Sequence, residues 1–198
     1  MFLMQNIEFR QHFASRGWQV FNGLQELNER ILRGLMASVI GIVLLYVSLV
    51  TTSQPITYYE RADVNNGIAV LEQRGFRSEV FLLRNTATFR RSDHWLNKLA
   101  IAEPAFASTN FPFQIVTIYP DFFETASDDT ERAMILLHEA RHLAGDGERE
   151  AYTFVWENRD QLGWTKASHG NTALYAMVME QTRAYAPDLF TLTDDKIE

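Results

Sequence analysis

Hydrophobic and polar positions divide the chain into three stretches with different patterns. In the first 33 residues, Phe9, Phe13, Trp18, Phe21, Leu24, Leu27 and Ile31 recur three to five positions apart. This spacing predicts an amphipathic helix, lying on a membrane surface or against a partner. Gly17 and Gly23 interrupt it, and it carries no evident chemistry. No charged residue occurs from Gly34 to Tyr59, and residues 34–50 (GLMASVIGIVLLYVSLV) are almost wholly apolar. A membrane-spanning helix needs about 17–25 such residues, so a transmembrane helix is expected over residues 34–52. A core helix would show a polar stripe, which this run lacks.

Beyond the apolar run the pattern becomes that of a folded domain, residues 53–198. Residues 59–74 read as a helix stopped by Gly75, residues 79–83 as a short strand, and residues 90–99 as a helix. Residues 115–119 (IVTIY) are β-branched and lie between Pro112 and Pro120, which predicts a strand. Asp128 is placed to cap a helix, with Glu131 three positions on and Gly145 as its stop. Two more helices are expected, residues 148–162 ended by Gly163 and residues 172–185 stopped before Pro187. A few strands among several helices make an α+β domain.

Composition narrows the function classes. With 46% hydrophobic residues in 198, the chain can bury a real core. The net charge is −7 with no block of Lys or Arg, which argues against nucleic acid as a partner. Cysteine is absent, which excludes disulfide scaffolds, Cys-based metal sites and thiol nucleophiles. Arg10, Arg16, Arg30 and Arg33 precede the apolar run and only Arg61 closely follows it. The positive-inside rule therefore predicts a single-pass protein with a cytoplasmic N-terminal segment (residues 1–33) and an extracytoplasmic C-terminal domain. A cleaved signal peptide fits less well, because the preceding segment is long and no A-x-A-like site follows.

His138-Glu139-Ala140-Arg141-His142 is an H-E-x-x-H. Four residues apart on a helix, both imidazoles point the same way and can grip one metal ion, while Glu139 reaches a water held by that ion. Zinc lowers the pKa of such a water to about 7, and the carboxylate takes its proton during attack on a carbonyl. Ala133, Leu136, Leu137, Ala140, Leu143 and Ala144 gather on one helix face, with His138 and His142 on the opposite side. These are not core histidines by that projection; a cleft-facing pair or a solvated face remains. Arg141 points elsewhere and reads as a surface residue. Trp156 and Trp164 read as core.

A catalytic zinc site needs a third protein ligand. Gly145 and Gly147 allow a sharp turn that returns the next helix toward the metal, and Asp146, Glu148 and Glu150 are the candidates. Glu148 projects into the apolar face of Ala151, Tyr152 and Val155, whereas Glu150 projects to the polar side beside Glu157. An inward carboxylate needs a partner, which a cation supplies; a capping role at the helix N-terminus is the alternative. Asp146 then suits a supporting position that orients a ligand histidine. Tyr152 and His169 are candidate oxyanion or substrate donors, although each also fits an ordinary core tyrosine or loop histidine.

The segment HEARHLAGDGE resembles the zincin metallopeptidases. It matches the H-E-x-x-H-x-x-G-x-x-H pattern of metzincins except that Glu148 stands where the third His belongs, and a Glu ligand is similar to gluzincins, in which it lies further along the chain. The resemblance covers about residues 115–163. It implies a zincin-like fold with a small sheet and an active-site helix. It also implies that residues 115–119 form the upper edge of a cleft where extended peptides pair by β-augmentation. The leading expectation is a membrane-anchored zinc metallopeptidase acting on peptide or protein substrates. The alternative is a membrane-anchored scaffold or interaction protein with an incidental or inactive motif. No G-x-S-x-G or P-loop supports another chemistry.

Overall fold

A computed structural model describes residues 28–99 and 106–190; the amphipathic pattern of residues 1–27 lies outside them. The chain forms two compact units, Met1–Ser48 and Leu49–Glu198. A continuous helix, α1 (Asn28–Thr52), has 25 residues and is long and apolar enough to cross a membrane. Its length is about 37 Å at 1.5 Å per residue, against a hydrocarbon core of about 30 Å. Leu35, Val39, Ile42 and Val43 on it are exposed.

The larger unit is mostly helical with one small sheet. Helix α2 (Tyr58–Gln73) opens on a capping box in which the Thr57 hydroxyl accepts from the Glu60 amide and the Glu60 carboxylate accepts from the Thr57 amide. Gly75, at φ 88°, follows its end. Helix α3 (Arg77–Asn85) comes next. This corrects the strand expected at residues 79–83: Val80 and Leu83, three apart, are buried on one helical face, and a short apolar run is ambiguous between the two periods. Strand β1 (Thr88–Arg90) and a 3-10 turn (Asn97–Leu99) replace the helix expected over residues 90–99.

Strands β2 (Ala107–Asn110) and β3 (Ile115–Ile118) complete a sheet of order β1-β3-β2. β1 runs parallel to β3, and β2 runs antiparallel to it. β3 is thus central and buried along its whole length, so the sheet edges are β1 and β2 rather than the strand expected there. Helix α4 (Pro120–Glu124) leads to α5 (Asp129–Leu143). α5 packs along α2, where Gly67 lets the backbones approach: a Cβ there would stand 2.8 Å from Leu136 Cδ1. Helix α6 (Glu148–Glu157) breaks at Asn158 before α7 (Arg159–Leu162), so the single helix expected there is two. Helices α8 (Lys166–His169) and α9 (Ala173–Tyr185) follow. The core gathers Ile68 and Leu71 of α2, Val116 and Ile118 of β3, Leu136 and Leu137 of α5, and Trp164, all buried. Trp156 is only partly buried against that core.

Candidate metal centre

The site begins with how α5 starts and stops. At its N-terminus the Asp128 carboxylate accepts from the amides of Thr130 and Glu131 (2.9 Å each). Glu131 is buried, with its oxygens taken by the Ser127 amide and the Thr172 hydroxyl. At the C-terminus Asp146 N donates to the Arg141 carbonyl and Gly145 N to the His142 carbonyl, both at 3.0 Å. With Gly145 at φ 98°, these are the paired bonds of a Schellman turn. The turn reverses the chain at once, and α6 begins three residues later with Glu148.

Three side chains meet as a result. His138 Nε2 and His142 Nε2 lie 3.0 Å apart. Glu148 Oε2 is 3.3 Å from His138 Nε2, and Oε1 is 3.4 Å from His142 Nε2. Their ligand atoms all fall within 4.8 Å of one another, a geometry able to hold a metal ion. The Glu148 side chain is 48% exposed, so it reaches the imidazoles from the solvent side instead of entering the apolar face. Glu150 is exposed, and its Oε2 folds back over Gly147.

The surrounding groups orient this cluster. His142 Nδ1 donates to the backbone carbonyl of Asp146 (2.9 Å), leaving the Nε2 lone pair for a ligand. Asp146 does orient a histidine, but through its carbonyl. Its carboxylate pairs instead with Arg141 (2.6 Å). Arg141 is correspondingly not a surface residue: it also pairs with Glu79 of α3 (3.2 Å) and lies 4.4 Å from the centre of the Phe154 ring. This fastens the α5–α6 turn to α3.

The three side chains are electrostatically coupled to one another. Burial disfavours charging His142, yet hydrogen bonds to Glu148 and Asp146 and the field of Glu139 push its pKa up to about 9. Hydrogen bonds from His138 and His142 hold the Glu148 carboxyl far below the usual carboxylate range.

A cavity of about 320 Å³ opens over the cluster. Glu139 lines it but is only 3% exposed, and its Oε2 accepts from the Thr109 hydroxyl of β2 at 2.7 Å. Strand β2 and Tyr119 form one wall, Met134 and Ile135 of α5 contribute, and Met177, Val178, Gln181 and Tyr185 of α9 close the far side. Tyr152 lies between the cluster and α9, its ring 4.4 Å from the His138 ring and stacked on Tyr185 at 5.3 Å. Thr109, Tyr119 and the α9 residues carry no motif, so residue spacing could not have found them.

The structure does not bring His169 to this cavity. It is buried, with Nε2 3.0 Å from Asp128 Oδ2 and Nδ1 2.7 Å from the Ser168 hydroxyl. That places it at the opposite end of α5, about 15 Å from His138 by helical rise, so the donor role expected of it is corrected to a supporting role at the helix cap.

No family model matches the chain, and comparison with curated proteins and with solved structures finds no match. Fold and site together define a mostly helical α+β domain that carries a His/His/Glu cluster beneath an open cleft.

Proposed function

We infer that the chain is a membrane-anchored, zinc-dependent metallopeptidase of zincin type, with His138, His142 and Glu148 as ligands and Glu139 as general base. The observation that carries this reading is the convergence of two imidazoles and one carboxylate beside a buried glutamate in a cleft. Zinc fits the donor set: tetrahedral bonds of about 2.0–2.1 Å separate neighbouring ligand atoms by about 3.3–3.4 Å. The separations here are 3.0, 3.3 and 3.4 Å. Two nitrogens and one oxygen also suit zinc better than calcium or magnesium, which take oxygen ligands.

Zinc held by His138, His142 and Glu148 would supply Lewis acidity toward a substrate carbonyl and an attacking water. The remaining work falls to the chain. Thr109 holds Glu139 at the cleft floor, where the carboxylate takes a proton from water and passes it to the leaving amine. Tyr152, packed on His138, is the candidate donor to charge developing on the carbonyl oxygen. The edge strand β2, which lines the cavity, rather than the central β3, is where an extended peptide would pair. Helix α1, long and apolar enough to cross a membrane, would be the single-pass anchor, and the excess of arginines before it supports an extracytoplasmic C-terminal domain under the positive-inside rule.

The test is metal analysis and peptide hydrolysis by the full chain in detergent. The expected result is one zinc per chain, lost in His138→Ala, with a Glu139→Gln variant that keeps zinc and loses turnover at least a hundredfold. A wild-type chain that binds no stoichiometric metal would leave only an anchored scaffold.

A further inference from the structure

The last turn of α1, from Leu49 to Thr52, belongs to the larger unit and is fastened to it. Leu49 is fully buried. Arg90 of β1 donates from Nε to the Ser53 hydroxyl (2.8 Å), and from Nη2 to the Val50 carbonyl (2.7 Å) and to the Ser53 carbonyl. A guanidinium thus caps the helix C-terminus, where carbonyls lack intrahelical partners and the macrodipole is negative. The following segment is pinned beside it. Gln54 N donates to the Ser92 hydroxyl (2.9 Å), and Trp95 N to the Thr52 hydroxyl (3.4 Å).

Trp95 and Leu96 therefore stand next to the residue at which the apolar helix ends, and they are 40% and 36% exposed. In a bilayer, the end of an apolar run marks the water interface, where tryptophan concentrates because its ring is apolar and its N–H is polar. The bond from Trp95 N to Thr52, beside the Arg90 cap of the same helix end, fixes the segment at that level.

We propose that Trp95 and Leu96 form a second membrane contact, inserted at the headgroup–acyl boundary of the phospholipid leaflet from which α1 emerges. The contact rests on the membrane-spanning reading of α1. It also bears on the substrate. The same segment is bonded to the cleft wall: Asp93 Oδ1 accepts from the Tyr119 hydroxyl (2.6 Å), and Asn97 accepts from Asn110 at the end of β2 (3.4 Å). A contact at Trp95 and Leu96 thus holds the wall of the cleft within a few residues of the bilayer surface. That position favours polypeptide emerging from the same membrane over freely diffusing protein.

The chain has no cysteine, so single-site labelling reads the contact directly. Leu96→Cys, Ile40→Cys and Gln73→Cys, each labelled with an environment-sensitive fluorophore, are placed as full chains in phosphatidylcholine nanodiscs containing doxyl-labelled lipid. Position 40 is mid-helix in α1, and Gln73 is exposed at the end of α2. The expected result is quenching at position 96 by shallow doxyl groups at least threefold above that at position 73, with position 40 quenched by deep ones. Quenching at 40 but not at 96 leaves α1 spanning and overturns the contact. Quenching at neither overturns the spanning helix and the contact together.

Discussion

Removing the carboxylate of Glu148 tests the proposed metal centre without any knowledge of a substrate. In Glu148→Ala the two imidazoles lose the only carboxylate of the three-residue ligand group. Changes to groups that merely orient a ligand already cost about 10–100-fold in metal affinity, so loss of a ligand itself is expected to cost at least a hundredfold. With zinc at about 1,000 times the wild-type Kd, binding stabilises the fold by about 4.1 kcal/mol, and a hundredfold weaker site retains about 1.4 kcal/mol. The difference of about 2.7 kcal/mol lowers Tm by about 5–11 °C for a unit of this size. Glu150→Ala supplies the control. Glu150 is exposed and folded over Gly147, so its loss removes at most about 0.3–1 kcal/mol of favourable charge at the α6 N-terminus. Zinc affinity from chelator competition and Tm with and without zinc provide the two readouts. Equal losses in both variants, or wild-type affinity in Glu148→Ala, would refute the assignment of the third ligand.

Further perturbations probe the support of the site. Thr109→Val removes the 2.7 Å bond to Glu139, and hydrogen bonds to charged groups are worth about 1.5–3 kcal/mol, so turnover should fall about 10- to 150-fold with zinc content unchanged in steady-state kinetics. Asp128→Ala removes the cap of α5 and the partner of His169, and should cost about 1–2 kcal/mol in urea denaturation. Burial raises the Asp128 pKa, but hydrogen bonds from Glu131, His169 and Thr130 outweigh it and hold the value low. A lowered folded pKa gives stability that is present above the unfolded value of about 3.9 and lost below it, so the gap between wild type and variant should be full at pH 6 and close on acidification below about pH 4. Gly67→Ala puts a Cβ 2.8 Å from Leu136 Cδ1 and 3.2 Å from Ala133 N. Overpacking should outweigh the better helix propensity of alanine and destabilise by about 1–3 kcal/mol in thermal melts; an unchanged Tm would show that the α2–α5 crossing has slack.

Elements with chemical punctuation were legible from the sequence. Gly75 follows α2, Asp128 and Gly145 bracket α5, and Pro187 follows α9, each acting through a hydrogen-bonding cap or a local backbone restriction, while the Thr57 and Thr172 caps emerge only in the structure. Elements defined by their neighbours were not. The five apolar-rich residues 79–83 fit either period, and their helical state is set by packing of α3 on α2 and α5. β1 has three residues, and β2 is the unremarkable Ala-Ser-Thr-Asn, whose strand state comes from pairing with β3. The zincin resemblance implies that β3 forms the upper edge of the cleft, whereas pairing with β1 on one side and β2 on the other makes it the central strand.

The same division runs through the site. His138, Glu139, His142 and Glu148 fall within eleven consecutive residues, and their geometry follows from one helical period and one glycine turn, both of which residue spacing encodes. Thr109 lies thirty residues from Glu139, and Asp128 forty-one from His169; only tertiary packing pairs them. Electrostatics then connect the two kinds of information. Glu139 is almost fully buried beside a half-exposed Glu148, an arrangement that places two carboxylates around two imidazoles. Burial disfavours charge on His142, yet hydrogen bonds to Glu148 and Asp146 and the field of Glu139 raise its pKa above the ordinary value, so the acidic groups around it favour a cation there. On the proposed metal-binding reading, a proton and a divalent ion would compete for the same His142 nitrogen, so metal affinity should rise with pH, which chelator competition at two pH values would measure.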